Sequence, residues 1–178
     1  MQKSNKYIFL FFLNFFFLII GFAQTKDEQI KSIRKKFELI NKDTALIKVV
    51  FENGEFLTQM TDNGGKLIGY YKNGEIKKIY EWIGLSNGIN IKEFYFDNAQ
   101  LIFVYEKFDM FKFNNKKNEF DFSKTKTIFE GRYYFKNKDL FSSWVKGKKS
   151  LAGQPDSTDK DLLESADYDL VLLNRKAN

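Results

Sequence analysis

The sequence predicts an α+β fold: an N-terminal helix packed on a twisted antiparallel β-meander of about eight strands, followed by a C-terminal helix. This prediction rests on changes in the spacing of apolar residues along the chain. Beyond residue 24, apolar residues recur every three or four positions near both ends of the chain, whereas β-branched and aromatic residues fill short segments between Asn-containing turns over residues 46–144. Aromatic residues make up 18% of the sequence and cysteine is absent, so a hydrophobic core must hold the fold together.

Residues 1–23 have the three-part pattern of a secretory signal peptide. Lys3 and Lys6 precede an apolar run over residues 7–20, and Gly21-Phe22-Ala23 supplies the small residues of a cleavage site. This run is shorter than the roughly 20 residues that a membrane span needs. We therefore expect cleavage, export to the periplasm or extracellular space, and no stable membrane span afterwards; an uncleaved anchor is the alternative.

We expect one domain after the signal peptide, with residues 24–150 forming the first helix and the meander and residues 151–178 adding a linker and the last helix. Thr25-Lys26-Asp27-Glu28 has the form of a capping box for a helix over residues 27–41. Acidic residues likewise crowd the start of the C-terminal helix, where they favour its positive end. The apolar positions of this second helix are Leu162, Leu163, Ala166, Leu170 and Leu173.

The amino-acid composition excludes most types of catalytic site. The chain has neither histidine nor cysteine, which excludes the usual triads, thiol nucleophiles, zinc sites and haem attachment. No glycine-rich phosphate loop is present. Removal of Lys3 and Lys6 with the signal peptide would lower the net charge from +6 to +4, which is modest and predicts no nucleic-acid partner for an exported protein. We therefore predict no catalytic residues, no metal site and no cofactor, and only carboxylate chemistry stays possible.

A short sequence unit occurs five times in the chain. It consists of an aromatic or apolar residue, a charged residue and Asn, followed by further apolar residues. Asn-Gly accepts the positive φ angles of a tight turn, so each unit is typical of a β-hairpin. The unit resembles the bacterial variant of MORN repeats, which are single-layer hairpin arrays. The layout also resembles small exported bacterial proteins of unknown function, with Ile-Arg and Phe on the helix and Arg-Tyr-Tyr-Phe on a strand; that resemblance implies no activity. The asparagines are Asn53, Asn63, Asn73, Asn98 and Asn137.

Residues 74–107 are predicted to form three long strands with turns at Asn87-Gly88 and Asn98-Ala99. Strict alternation then separates two faces. The predicted core face carries Ile79, Ile83, Phe94, Phe96, Leu101, Phe103 and Tyr105, and the opposite face carries Tyr80, Trp82, Ile91, Glu93, Tyr95, Ile102, Val104 and Glu106.

The second face contains our candidate ligand-binding residues, which are Tyr80, Trp82, Glu93, Tyr95 and Glu106. In one interpretation they line a groove where aromatic rings stack on sugar rings or apolar ligands and carboxylates accept hydrogen bonds. In the other, a helix or neighbouring strands cover the aromatic rings and the glutamates lie at the solvated edge.

Residues 108–127 are predicted to form a hairpin whose aromatic residues pack on the core or serve as an arm for a partner. The sequence therefore favours a non-enzymatic exported binding or interaction module, with an envelope protein or a glycan as its partner. The competing hypothesis is a small carboxylate-dependent hydrolase acting on glycans through Glu93 and Glu106.

Overall fold

The computed structural model describes residues 25–57 and 59–177. The predicted signal peptide lies outside these residues. Contacts divide the chain into two compact units, with the boundary between Ser32 and Ile33. In the first unit the predicted capping box is present, because Thr25 N donates to Glu28 Oε2 at 2.9 Å and Glu28 N donates to Thr25 Oγ1 at 3.3 Å. All other contacts described below lie within the second unit.

The chain forms two helices and seven strands, which confirms the predicted fold class with seven strands instead of about eight. Each strand pairs antiparallel with the next, so strand order in the sheet follows chain order. None of the described helices is both long and apolar enough to cross a membrane. The elements are α1 (Lys26–Lys42), β1 (Ile47–Glu52), β2 (Gly65–Lys72), β3 (Glu75–Leu85), β4 (Gly88–Asp97), β5 (Gln100–Asn114), β6 (Glu119–Lys136), β7 (Asp139–Gly147) and α2 (Asp159–Ala177).

Three of the predicted hairpins share one geometry. Their two-residue turns, Asn73-Gly74, Asn98-Ala99 and Asn137-Lys138, have positive φ at both positions, as a type I′ turn requires. In each hairpin the third residue of the returning strand is left out of the ladder, so a β-bulge follows the turn. The bulged residues are Lys77, Ile102 and Phe141.

The units at Asn53 and Asn63 are not hairpins, and these two predictions are wrong. Asn53 begins a short 3-10 helix, Asn53–Glu55, after β1. Its side-chain Oδ1 accepts a hydrogen bond from Gly65 N at 2.6 Å, and Asn63 Nδ2 donates to Leu85 O at 2.7 Å. Both asparagines therefore act through their side chains in a longer connection, instead of forming the tip of a tight turn.

The main core lies between one face of the sheet and α2, and we call this side the α2 face. The predicted apolar stripe of α2 is confirmed: Leu162, Ala166 and Leu173 are buried. Truncating such a leucine to alanine typically costs about 2–5 kcal/mol, so this contact holds α2 in place. The sheet residues in the same cluster include Leu67, Ile79, Phe94, Phe96, Val104 and Tyr133.

A buried ionisable group lies within this apolar interface. Asp169 of α2 is 2% exposed, and its Oδ2 has no hydrogen-bond partner within the described residues. Nearby, Lys92 Nζ lies 3.2 Å from Glu81 Oε1 and donates to Ser165 Oγ at 3.1 Å. Burial raises the pKa of Asp169 to about 8, with the Glu81 charge adding to the shift and Lys92 opposing it. Asp169 is therefore mostly protonated at neutral pH.

The bulge at Ile102 changes which residues of β5 share a face. Tyr95 pairs with Phe103, whereas Phe96 pairs with Leu101, so alternation breaks between the two pairs. Residues beyond the bulge lie on the opposite side from the one strict alternation predicts. Phe103 and Tyr105 therefore lie with Tyr95, while Val104 and Glu106 lie on the α2 face, which corrects the predicted grouping.

The other face of the sheet, the α1 face, is covered in part by residues 33–42 of α1. The Phe37 ring lies 4.9 Å from the Tyr95 ring and 5.6 Å from the Phe103 ring, measured between centroids. Tyr95 is fully buried as a result. The covering-helix interpretation thus holds for Tyr95, and the rest of this face has a different environment.

The predicted hairpin over residues 108–127 is present as the far ends of β5 and β6. Phe111 packs on Phe122 with ring centroids 5.0 Å apart, and Phe113 packs on Phe120 at 5.1 Å. Phe111 is buried, whereas Phe113 and Phe122 are exposed. The two ring pairs therefore stabilise the hairpin, and Phe113 and Phe122 are left accessible to solvent.

Candidate ligand-binding site

One row of side chains crosses five strands on the α1 face. Successive pairings place its members directly opposite one another, so they project from the same side of the sheet. Neighbouring strands lie about 4.8 Å apart, which brings aromatic and charged groups into contact along the row. This central row consists of Tyr80, Glu93, Tyr105, Arg132 and Trp144.

A pocket of about 520 Å³ lies between α1 and this part of the sheet. Its volume falls within the range of about 300–1,000 Å³ that is typical of small-molecule sites. Five aromatic residues and four charged residues contribute to its lining. The lining residues are Ile33, Arg34, Phe37 and Glu38 of α1, and Glu93, Phe103, Tyr105, Arg132, Tyr134 and Trp144 of the sheet.

Arg132 is held on the pocket floor by its neighbours in the row. Its guanidinium carbon lies 4.7 Å from the Trp144 ring centroid and 5.6 Å from the Tyr105 centroid, so both rings make cation–π contacts with it. Arg132 also forms an ion pair with Glu130. Three neighbours thus restrict its rotamers, and the floor is organised before any ligand arrives.

Arg34 belongs to the α1 wall of the pocket. Its Nε donates to the Tyr134 hydroxyl at 3.2 Å, and its guanidinium carbon lies 6.0 Å from the Tyr134 ring centroid. Arg34 forms no ion pair within residues 25–57 and 59–177, and Glu38, one helical turn further on, forms neither an ion pair nor a side-chain hydrogen bond there. Both side chains are exposed, so the wall presents a cation and an anion that the described protein residues do not pair.

Glu93 is fixed at the inner end of the pocket by two partners. Its Oε2 accepts a hydrogen bond from the Tyr95 hydroxyl at 2.5 Å, and its Oε1 lies 3.1 Å from Lys78 Nζ. Asn41 of α1 donates to the same hydroxyl at 3.0 Å. Burial, and then the Glu93 charge, raise the pKa of Tyr95 well above its usual value, so the phenol stays protonated and continues to donate to Glu93.

The structure brings together only part of the predicted site. Glu93 lines the pocket, and Tyr80 is its neighbour at the end of the central row, outside the pocket lining. Trp82 projects from the same face in the next row, opposite Ile91 and outside the pocket lining. Tyr95 lies beneath α1, where it supports Glu93 without reaching the pocket surface.

Glu106 lies on the opposite face, so its assignment to this site is wrong. It is fully buried, and its Oε1 accepts hydrogen bonds from Lys149 Nζ at 2.9 Å and from Ser157 Oγ at 3.0 Å. The body of the sheet separates it from Glu93. These two carboxylates therefore cannot act as acid and base on one bond.

Most pocket residues were missed by the sequence prediction. Strict alternation placed Tyr105 and Phe103 in the core, because nothing in the sequence announces the bulge at Ile102. Other pocket residues belong to the two motifs on which the resemblance to small exported proteins rests. Arg34 and Phe37 belong to the helix motif, and Arg132 and Tyr134 belong to the Arg-Tyr-Tyr-Phe motif. The two motifs meet across the pocket.

Within the described residues, no group of three or more acidic side chains is placed to hold a metal ion. The residues that line the pocket offer aromatic rings for stacking, and charged and hydroxyl groups for hydrogen bonding and ion pairing. No protein-family model, curated protein or solved structure matches the chain.

Proposed function

We propose that this protein is an exported, non-enzymatic binding protein that holds a small organic ligand, or one unit of a larger one, in the pocket between α1 and the central row. The observation that carries the proposal is the pocket itself, in which aromatic residues surround a few charged groups. That combination is characteristic of ligand sites, since apolar walls supply affinity and a few polar groups fix orientation.

The rigidity of the pocket also favours binding. Arg132 is stacked and ion-paired, and Glu93 is held by Tyr95 and Lys78. Side chains that are already ordered lose little conformational entropy when a ligand binds. The hydrolase hypothesis has weaker support, because Glu93 and Glu106 lie on opposite faces and Asp169, whose pKa is raised, is buried under α2.

Two tryptophans allow a matched test of this proposal. Trp144 lines the pocket, while Trp82 lies on the same face outside it. The protein would be screened by saturation-transfer NMR against monosaccharides, amino acids, aromatic acids and short fatty acids. We expect at least one class to bind, and Trp144→Ala to weaken that binding about tenfold through lost stacking.

Trp82→Ala is the control and should leave the affinity unchanged. Trp144 is 45% exposed, so its removal should alter the pocket without unfolding the sheet. Absence of any bound compound, or equal effects of the two substitutions, would contradict the proposed function.

A further inference from the structure

We infer that the ligand of this pocket is a neutral carbohydrate, which packs against the aromatic floor and forms hydrogen bonds with Arg34 and Glu38 on the α1 wall. The inference rests on the proposed binding function and names the class of ligand. It starts from the charges that line the pocket, which are two of each sign: Arg34 and Arg132 against Glu38 and Glu93.

This balance argues against a ligand that carries net charge. Arg132 is already paired with Glu130, and Glu93 is already paired with Lys78. The two charges on the floor are thus compensated by the protein, so neither a ligand anion nor a ligand cation finds an uncompensated partner there. A ligand carrying net charge would also face a like charge on the opposite wall.

The α1 wall then selects among neutral ligands. Arg34 retains free N–H donors and Glu38 retains both carboxylate oxygens as acceptors. Both side chains are exposed on α1, and a purely apolar ligand that covered them would displace their water and return no hydrogen bond, which is costly. A hydroxyl is both donor and acceptor, so a ring bearing several hydroxyls satisfies the two side chains together.

The floor fits the remainder of such a ligand. A sugar ring is polar at its rim, where the hydroxyls lie, and apolar on the C–H faces of the ring. Tyr105 and Trp144 supply apolar surface to receive those faces, and the buried Phe103 ring packs beside Phe37 at the base of the pocket. Burial, followed by the charge of Glu130, raises the pKa of Tyr105, so its phenol remains a neutral hydrogen-bonding group on the floor.

The test compares the binding of neutral and charged probes to the intact protein. The neutral probes are mono- to tetrasaccharides of glucose, galactose, mannose and N-acetylglucosamine. The probes that carry net charge are glucuronate, glucosamine and benzoate, and phenylalanine is a zwitterionic probe that carries one charge of each sign. We expect a neutral saccharide to bind best, with an affinity that changes little between low and high salt, because no net charge is screened.

Substitutions on α1 assign the contacts. Arg34→Met and Glu38→Gln should each weaken binding of the neutral saccharide about tenfold, since each removes a hydrogen bond to a charged group. Lys35→Met is the control, because Lys35 is exposed on the same helix outside the pocket lining and its substitution should leave the affinity unchanged.

The outcomes separate the two proposals. Preferential binding of glucuronate, glucosamine, phenylalanine or benzoate would overturn the carbohydrate inference and leave the binding function standing. The inference would also be overturned if neither Arg34→Met nor Glu38→Gln changed the affinity for the saccharide. Failure of every probe to bind would overturn the inference together with the proposed function.

Discussion

Glu93 on β4 lies directly opposite Tyr105 on β5, and this pairing depends on Ile102, which is left out of the ladder between the two strands. The bulge turns Tyr105 and Phe103 toward α1 and turns Val104 and Glu106 toward α2. The unpaired Ile102 therefore has two effects. It places Phe103 and Tyr105 on the pocket floor, and it places Val104 in the main core.

Inserting one alanine between Ile102 and Phe103 should destabilise the protein strongly. A ladder that still leaves out a single residue would then exchange Val104 with Phe103 and Glu106 with Tyr105, moving polar and apolar groups to the wrong faces. We expect a loss of more than about 3 kcal/mol, because the change disrupts the core and separates Glu106 from Lys149. Thermal unfolding followed by circular dichroism measures it.

Insertion of one alanine after Lys116 is the matched control for this experiment. Lys116 lies in the exposed turn between β5 and β6, outside the paired ladder, so this insertion should cost less than about 1 kcal/mol. Equal unfolding temperatures for the two insertions would contradict the structural role assigned to the bulge.

We predict opposite changes in stability for substitutions at two equivalent positions of the tight turns. Gly74 and Ala99 are the second turn residues of their hairpins, with φ of +79° and +59°. A Cβ is unfavourable in this region, so Ala99→Gly should stabilise the protein by about 0.5–1 kcal/mol. Gly74→Ala should destabilise it by about 1 kcal/mol. An added Cβ at Gly74 meets no atom within 4 Å, so the backbone alone accounts for that cost.

Chemical denaturation of the two variants beside the unchanged protein measures both differences. Changes of the same sign at Gly74 and Ala99 would show that turn conformation does not govern these hairpins.

Asp169 predicts a specific dependence of stability on pH. Its pKa is about 8 in the folded protein, against 3.8 for the ordinary carboxyl. The folded state therefore holds a proton that the unfolded chain has already released, and the free energy of unfolding falls by about 1.4 kcal/mol per pH unit between these two values. Above about pH 8 the proton is lost from both states and this contribution stops changing.

Asp169→Asn removes the titration while keeping the shape of the side chain. Denaturation from pH 5 to pH 9 should show the variant gaining stability relative to the unchanged protein as pH rises, with the difference levelling off above about pH 8. Asp167→Asn, at an exposed position on the same helix, is the control. A difference between the Asp169 variant and the unchanged protein that is constant across this range would contradict the raised pKa.

Local chemistry made much of this fold predictable. The capping box at Thr25 and Glu28, the leucine stripe of α2 and the turns at Asn73, Asn98 and Asn137 all depend on residues close together in the sequence. The assignment of residues to the two faces of the sheet does not depend on neighbouring residues alone, because it requires strict alternation along the whole strand. The bulge at Ile102 broke that alternation, and so Glu106 was placed in the site and Tyr105 outside it.

The pocket itself depends on packing between distant segments. Arg34 and Tyr134 are far apart in the sequence and meet only because α1 lies across β5 and β6. No pattern of spacing encodes that position of the helix. The connection around Asn53 and Asn63 was mistaken for hairpins for a similar reason, since their side chains bond to residues of other elements.

The central claim is that the ligand binds in the pocket between α1 and the central row. Trp82 and Trp144 are the two tryptophans of the chain, so labelling with 5-fluorotryptophan gives one resonance outside the pocket and one within it. Each is assigned by substituting the other tryptophan. Titration with the neutral saccharides should shift the Trp144 resonance and leave the Trp82 resonance in place. A shift confined to Trp82, or no shift of either resonance at saturating saccharide, would contradict the account.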